Sequence, residues 1–418
     1  MPKDIIKSLE GAMKMQNKST QAIHAGFLHD QYGSVTAPIY RASTFEVESI
    51  DDLTKRAERI MSGMAGSGNG YFLYTRLSNP TNSTLENIIA SLESATDCVA
   101  TASGLGAIST AMWTFLKAGD HLLADTALYG DTHGLMLDIL TKFGVSVEFV
   151  DFNNFDLLRK SLKPNTAMVY FESPCNPTLK INDIKKIADI AHKHNPEIKV
   201  VVDNTFATPY LQNPLKLGAN IVVHSLTKYI GGHSDALGGA ICTADKKDAI
   251  KIRLEGIEKC TGSVMSPDNA FLFLRSITTL PVRMMAHCAN AAKIAEYLST
   301  SKYVKVVHYP GLKSHIGYEI AKKQMSLFGG MISFELNFNF EETKKFVNSL
   351  KLIKLAVSLG GVESLLEHPA SMTHAHLTPE ELKAADITPS QVRISVGIED
   401  INDIVADLEQ AFSSVSNK

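Results

Sequence analysis

From about residue 80 onward, short apolar runs alternate with segments of helical period. Apolar runs bounded by turn residues read as buried strands. They fall at 98–102, 121–124, 146–151, 167–172, 199–203, 221–224 and 239–243. The segments between them carry apolar residues on one helical face, as Ile184, Ile187, Ala188 and Ala191 do. Strands alternating with helices predict a large α/β domain with a mostly parallel seven-stranded sheet covered on both faces. After Pro281 the texture changes. A long helical pattern over 282–300, strands at 304–308, 330–336 and 392–396, and further helical stretches predict a smaller α+β domain. Residues 1–75 read as irregular, with Pro38 in an extended run and a glycine-rich stretch, MSGMAGSGNG at 61–70, expected to form a mobile loop. The division expected is thus 1–75, 76–280 and 281–418.

Composition narrows the classes. Of 418 residues, 44% are hydrophobic and 20% charged, the balance of a globular protein. A net charge of -3, with no recognition motif, argues against nucleic acid as a partner. No run approaches ~18 uninterrupted apolar residues, so no membrane span is expected. The first twenty residues carry charges throughout, unlike a signal peptide. Five cysteines at irregular spacing fit reduced thiols and a cytoplasmic location. His192 with His194, and His374 with His376, lack a third ligand at motif spacing, so no metal is expected.

Ligands of open α/β sheets sit beyond the carboxyl ends of the strands. Three such ends carry polar residues. Ser103-Gly104-Leu105-Gly106 follows the first strand and opens a helix, where backbone N–H groups can meet an anion. Taken alone it is equally a tight turn. Asp203 closes the run KVVVD and there suits a cationic ring nitrogen or a helix cap. Ser225-Leu226-Thr227-Lys228 follows the run IVVH. Ser225 and Thr227, two apart, can point the same way toward one phosphate. A lysine half-buried at a strand end has a lowered amine pKa, as covalent capture of an aldehyde requires. Together these residues supply a phosphate clamp, a ring partner and an amine, the needs of pyridoxal 5'-phosphate (PLP).

The stretches YTRLSNPT (74–81), SGLGA (103–107), ESPCNPT (172–178), VVDNT (201–205), HSLTKYIGGHSDALGG (224–239) and SVGIED (395–400) resemble the Cys/Met-metabolism family of PLP enzymes. The resemblance runs from about residue 20 to 415. It implies the aspartate-aminotransferase-like fold (fold type I) and a homotetramer built from tight dimers, with residues 1–75 as an arm reaching the neighbouring subunit. It implies that Lys228 binds PLP covalently and that Asp203 faces the pyridine nitrogen. Gly104, Leu105, Ser225 and Thr227 would hold the phosphate, joined by Tyr74 and Arg76 of a neighbouring subunit. Tyr129 would stack on the ring and act as general acid. Arg393 would hold the substrate carboxylate, with Ser358 and Asn176 beside it.

The activity implied is elimination at Cγ of a sulfur amino acid. The segment LAVSLGGVESLLEHPASMTHA and the residues Phe143 and Gly144 look most like methionine γ-lyase, which gives 2-oxobutanoate, ammonia and a thiol. Val357 stands where cystathionine enzymes of the family usually carry a glutamate, and suits a short methylthio tail. Three residues depart from the methionine γ-lyase pattern: Asp131 in place of a cysteine, and Glu258 and Lys259 in place of a Lys-Asp pair. Asp131 beside the tail would favour a polar or cationic group or reposition Tyr129. Cystathionine γ-lyase or γ-synthase and O-acylhomoserine sulfhydrylase are the alternative activities, and a non-catalytic PLP-binding homologue is the alternative of another class.

Overall fold

The computed structural model describes residues 17–28, 30–64, 71–372, 382 and 387–416. Seven strands form the larger sheet: β1 Asp97–Thr101, β2 His121–Asp125, β3 Ser146–Val150, β4 Thr166–Glu172, β5 Lys199–Asp203, β6 Ile221–Ser225 and β7 Gly239–Thr243. Their spatial order is β1-β7-β6-β5-β4-β2-β3. All neighbours run parallel except β7, which is antiparallel to both β1 and β6. Each predicted strand is found within a residue or two of its expected bounds. The cause is burial on both faces, since a strand such as β4 is buried at all but one residue and leaves the unbroken apolar run AMVYF.

Register fixes which residues meet at the strand ends. Glu172 at the end of β4 pairs with Asp203 at the end of β5. Beneath them Phe171, Val202 and Val222 are fully buried. Each such side chain contributes about 1.5–3 kcal/mol by leaving water, which makes the layer under the strand ends rigid.

The smaller sheet contains β8 Val304–His308, β9 Met331–Leu336, β10 Lys354–Leu355, β11 Leu365–Glu367 and β12 Gln391–Ser395, in the order β10-β11-β12-β9-β8. A helix over Leu280–Thr300 leads into it. Strands β10 and β11 escape the pattern reading, because two and three residues are too few to show a period. β11 nevertheless matters, since its antiparallel pairing sets Glu367 opposite Arg393 of β12.

The expectation of irregular structure through residue 75 is corrected. Helices occupy Lys18–His24 and Ile50–Arg59, and a wider π-type turn continues the second over Ile60–Met64. The Ile50–Arg59 helix buries none of its residues. Its Ser49 cap accepts from the Asp52 N–H, and Arg56 pairs with Asp52 at 2.7 Å. Capping and an i,i+4 ion pair hold the helix locally, while its sparse apolar positions, Ile50, Leu53 and Ala57, are not buried within this chain. The same turn replaces the start of the expected 61–70 loop, while 65–70 lie outside the described residues. So do His374 and His376.

Candidate active site

The helix over Gly104–Phe115 begins where β1 ends. Ser103 caps it, its Oγ accepting from the Gly106 N–H at 3.0 Å. The first N–H groups of a helix have no partner within it and carry the positive end of its dipole. This helix end approaches the β6 end closely. A Cβ on Gly104 would lie 2.6 Å from Cβ of Ser225, so only glycine fits there. Thr227 lines the same wall, its hydroxyl oxygen accepting from the Gly238 N–H at 3.1 Å.

These groups open onto a cavity of about 310 Å³. Lys228 enters it just past β6. Its Nζ donates to Oγ of Ser358 at 2.8 Å. Burial, reinforced by Arg393 and opposed by Glu367, pushes the amine down to about 8. Ser358 comes from the smaller sheet's side and sits at φ 93°, a strained conformation for a residue with a side chain. Its carbonyl oxygen accepts from Nη2 of Arg393 at 3.0 Å.

Asp203 lines the cavity from the end of β5. Burial raises its pKa, opposed by hydrogen bonds from Thr205, whose N–H donates to Oδ1 at 2.9 Å. A buried carboxylate of this kind is stabilised by a cationic partner.

Arg393 is 2% exposed. Its Nη1 donates to Oδ1 of Asn176 at 2.5 Å, and its Nη2 lies 2.9 Å from Oε2 of Glu367. Its Nε is buried with no hydrogen-bond partner. Val357 also lines the cavity.

Tyr129 borders the cavity at the first residue before the short helix over Gly130–Gly134. Its N–H donates to Oε1 of Glu172 at 2.7 Å, and Oε2 of the same carboxylate accepts from the Asn176 N–H at 3.2 Å. Its hydroxyl donates to Oδ2 of Asp131 at 2.5 Å. Burial first, then this hydrogen bond and the nearby carboxylates, holds the phenol well above the usual tyrosine range. Asp131 itself is exposed and reaches the cavity only through Tyr129.

One cavity therefore brings together Lys228, Asp203, Ser225, Thr227, Gly104, Leu105, Tyr129, Asn176, Val357, Ser358 and Arg393. Tyr74 and Arg76 lie elsewhere, beside Arg41 and Gly262. Nη1 of Arg76 donates to the Glu258 carbonyl at 2.7 Å, and Tyr74 is half-exposed. Sequence reasoning missed Glu172 and Glu367, both buried on the cavity wall. Glu172 closes the apolar run of β4 just as Asp203 closes that of β5, and the same rule would have found it. Glu367 gave no signal, because its strand is too short to read.

These residues fit PLP. A glycine-floored helix N-terminus and two hydroxyls suit a phosphate, the depressed amine of Lys228 suits an aldehyde, and buried Asp203 suits a pyridinium. Seven strands in this order with this cavity define a PLP-dependent enzyme of fold type I. The family model for Cys/Met metabolism PLP-dependent enzymes matches residues 19–413, and the chain belongs to that family. It is 50% identical over 402 residues to an L-methionine gamma-lyase of Fusobacterium nucleatum subsp. polymorphum, covering 96% of this chain and 99% of that one. It is 45% identical over 398 residues to a cystathionine beta-lyase of Lactococcus lactis subsp. cremoris, covering 95% and 99%. The crystal structure of metB from Corynebacterium glutamicum superposes with a TM-score of 0.88 at 44% identity, covering 96% and 99%.

Proposed function

We propose that the protein is a carbon-sulfur lyase of the methionine γ-lyase type, converting methionine or homocysteine and water into 2-oxobutanoate, ammonia and methanethiol or hydrogen sulfide respectively. The observation that carries this reading is the amine of Lys228, brought down to about 8 in a cavity that also holds Arg393 and Tyr129. When bound, PLP supplies an aldehyde that holds an amine covalently and a ring that takes up electron density from Cα.

The chain's own residues do the rest. Arg393 binds the α-carboxylate, with Asn176 and Ser358 fixing the guanidinium. Asp203 keeps the ring nitrogen protonated. Lys228, neutral once the substrate has entered, takes the Cα proton. Tyr129 holds a proton on its hydroxyl for the departing sulfur. Gly104, Leu105, Ser225 and Thr227 hold the phosphate from this chain, and Tyr74 with Arg76 holds it from a second copy. Val357 packs against the methylthio tail. The exposed apolar side chains of Tyr32, Val35 and Ile50 on the N-terminal segment support burial between subunits. We take the working form to be a cytoplasmic homotetramer. No helix among the described residues is long and apolar enough to cross a membrane.

A second reading rests on Asp131. A carboxylate bonded to the Tyr129 hydroxyl favours a cationic tail, as cystathionine has. The deciding experiment is a substrate panel of methionine, homocysteine, cystathionine, cysteine, and O-acetylhomoserine with and without sulfide. It is scored for thiol and 2-oxobutanoate. Methionine or homocysteine cleaved fastest is the expected result. Methionine inert with cystathionine cleaved overturns the first reading in favour of the second. A visible PLP band with no product from any member would leave a non-catalytic binding protein.

A further inference from the structure

Arg393 and Glu367 face one another across β12 and β11. Cross-strand partners of an antiparallel pair share a face. Both side chains are almost wholly buried, at 3% and 1% exposure, and both line the cavity. The hydrogen bonds of the guanidinium are unequally placed. Nη1 donates to Asn176. Nη2 donates to the Ser358 carbonyl and is ion-paired, without hydrogen-bond geometry, with Oε2 of Glu367 at 2.9 Å. Nε has no partner although it is buried.

A buried guanidinium without an anion costs several kcal/mol, so the site needs a compensating charge when no substrate is present. Glu367 supplies it. Yet a carboxylate that binds arginine bidentately along the Nε edge takes Nε and the adjacent Nη together. The first of these is vacant and the second is committed twice. Of its two partners, the Ser358 carbonyl belongs to a strained backbone with φ 93° that also positions the Lys228 partner. The Glu367 carboxylate is carried on a rotatable side chain.

We propose that Glu367 is an exchange partner for the substrate. It neutralises Arg393 in the empty site and yields Nη2 to the α-carboxylate of the incoming amino acid, so it sets amino-acid affinity. The inference rests on the reading of Arg393 as the carboxylate clamp. It makes Glu367 a specificity residue, because an amine without a carboxylate gains nothing from the exchange and need not displace it.

The test uses the PLP-loaded enzyme and its Glu367→Gln variant. Norleucine, which has no leaving group at Cγ, is titrated against the visible band. It is compared with 3-(methylthio)propylamine, which lacks the carboxylate. Norleucine should bind about tenfold tighter to the variant, the scale of one buried ion-pair contact no longer contested. The amine should change less than twofold. For a substrate the wild type turns over, KM should fall more than kcat changes. Unchanged or weaker norleucine binding, or an equal gain for the amine, would overturn the proposal. These titrations need no turnover, so an inactive wild type would remove the lyase reading without deciding this one. If Glu367→Gln does not fold, Glu367→Ala in formate answers the same question. Formate should fill the vacated place and weaken norleucine binding toward the wild-type value. An unchanged affinity in formate would overturn the proposal.

Discussion

The Tyr129 hydroxyl donates to Oδ2 of Asp131, two residues along the same turn. Burial and then this carboxylate keep the phenol protonated beyond its ordinary range near 10. The sign follows directly, because a raised pKa extends the neutral, proton-bearing form to higher pH. The alkaline limb of kcat/KM should therefore lie above the ordinary tyrosine range. In Asp131→Asn it should move down by about one pH unit, with the visible PLP band intact. A limb that stays in place would show that Tyr129 is not the group reporting there.

Asp131→Cys removes the carboxylate that accepts from the Tyr129 hydroxyl. Methionine turnover should rise by about two- to tenfold, within the range of a general-acid adjustment. Cystathionine turnover should not rise with it. Equal changes for both substrates would place the tail preference elsewhere on the wall.

Lys228 titrates at about 8 because burial and Arg393 disfavour its charged form. Its depressed pKa leaves a growing neutral fraction as pH rises to that value and a nearly complete one above it. The rate at which the PLP-free protein captures PLP should rise about tenfold per pH unit up to ~8 and then level off. Stopped-flow absorbance measures this. Borohydride reduction of the loaded enzyme followed by peptide mapping should label residue 228, and a label at another lysine would refute the assignment.

Glu172 joins two parts of the site, accepting from the N–H of Tyr129 and from that of Asn176, the partner of Arg393. Glu172→Gln keeps one acceptor and turns the other into a donor facing a donor. An unpaired buried N–H costs about 1–3 kcal/mol. We expect kcat/KM to fall by about ten- to a hundredfold while PLP affinity changes little. A fall in PLP affinity of the same size would mean that Glu172 supports the cofactor pocket rather than the reacting groups.

Arg253 offers a contrast within the same domain. It is buried, with Nε 2.7 Å from Asp97 and Nη2 3.1 Å from Glu86. Arg253→Met strands two carboxylates and should cost about 3–5 kcal/mol of stability. Thermal melts would show this, and the folded fraction should keep the wild-type substrate order.

The large sheet could be read from the sequence because a strand buried on both faces writes its own boundary. The same logic made Asp203 and Lys228 visible, as polar residues where an apolar run stops. Glu172 obeys that logic too, as the polar residue that ends the apolar run of β4. Glu367 could not be found this way, since it depends on a register between β11 and β12 that no local pattern encodes. The helix over Ile50–Arg59 shows the opposite limit, where local capping holds a segment whose apolar positions, Ile50 and Leu53, stay exposed within this chain. Tyr74 and Arg76 mark a third limit. Their expected role requires a second chain, and within one chain they border other residues.

Ser358 contributes its hydroxyl to the amine of Lys228 and its carbonyl to the guanidinium of Arg393. On the proposed reading of Lys228 and Arg393, the nitrogen and the carboxylate of an amino acid would be gauged from this one residue. Substitutions that enlarge or reshape the far wall can change which side chain is cleaved. On the same reading, the backbone end of the ligand would stay in that frame and a new specificity would inherit the stereochemistry at Cα.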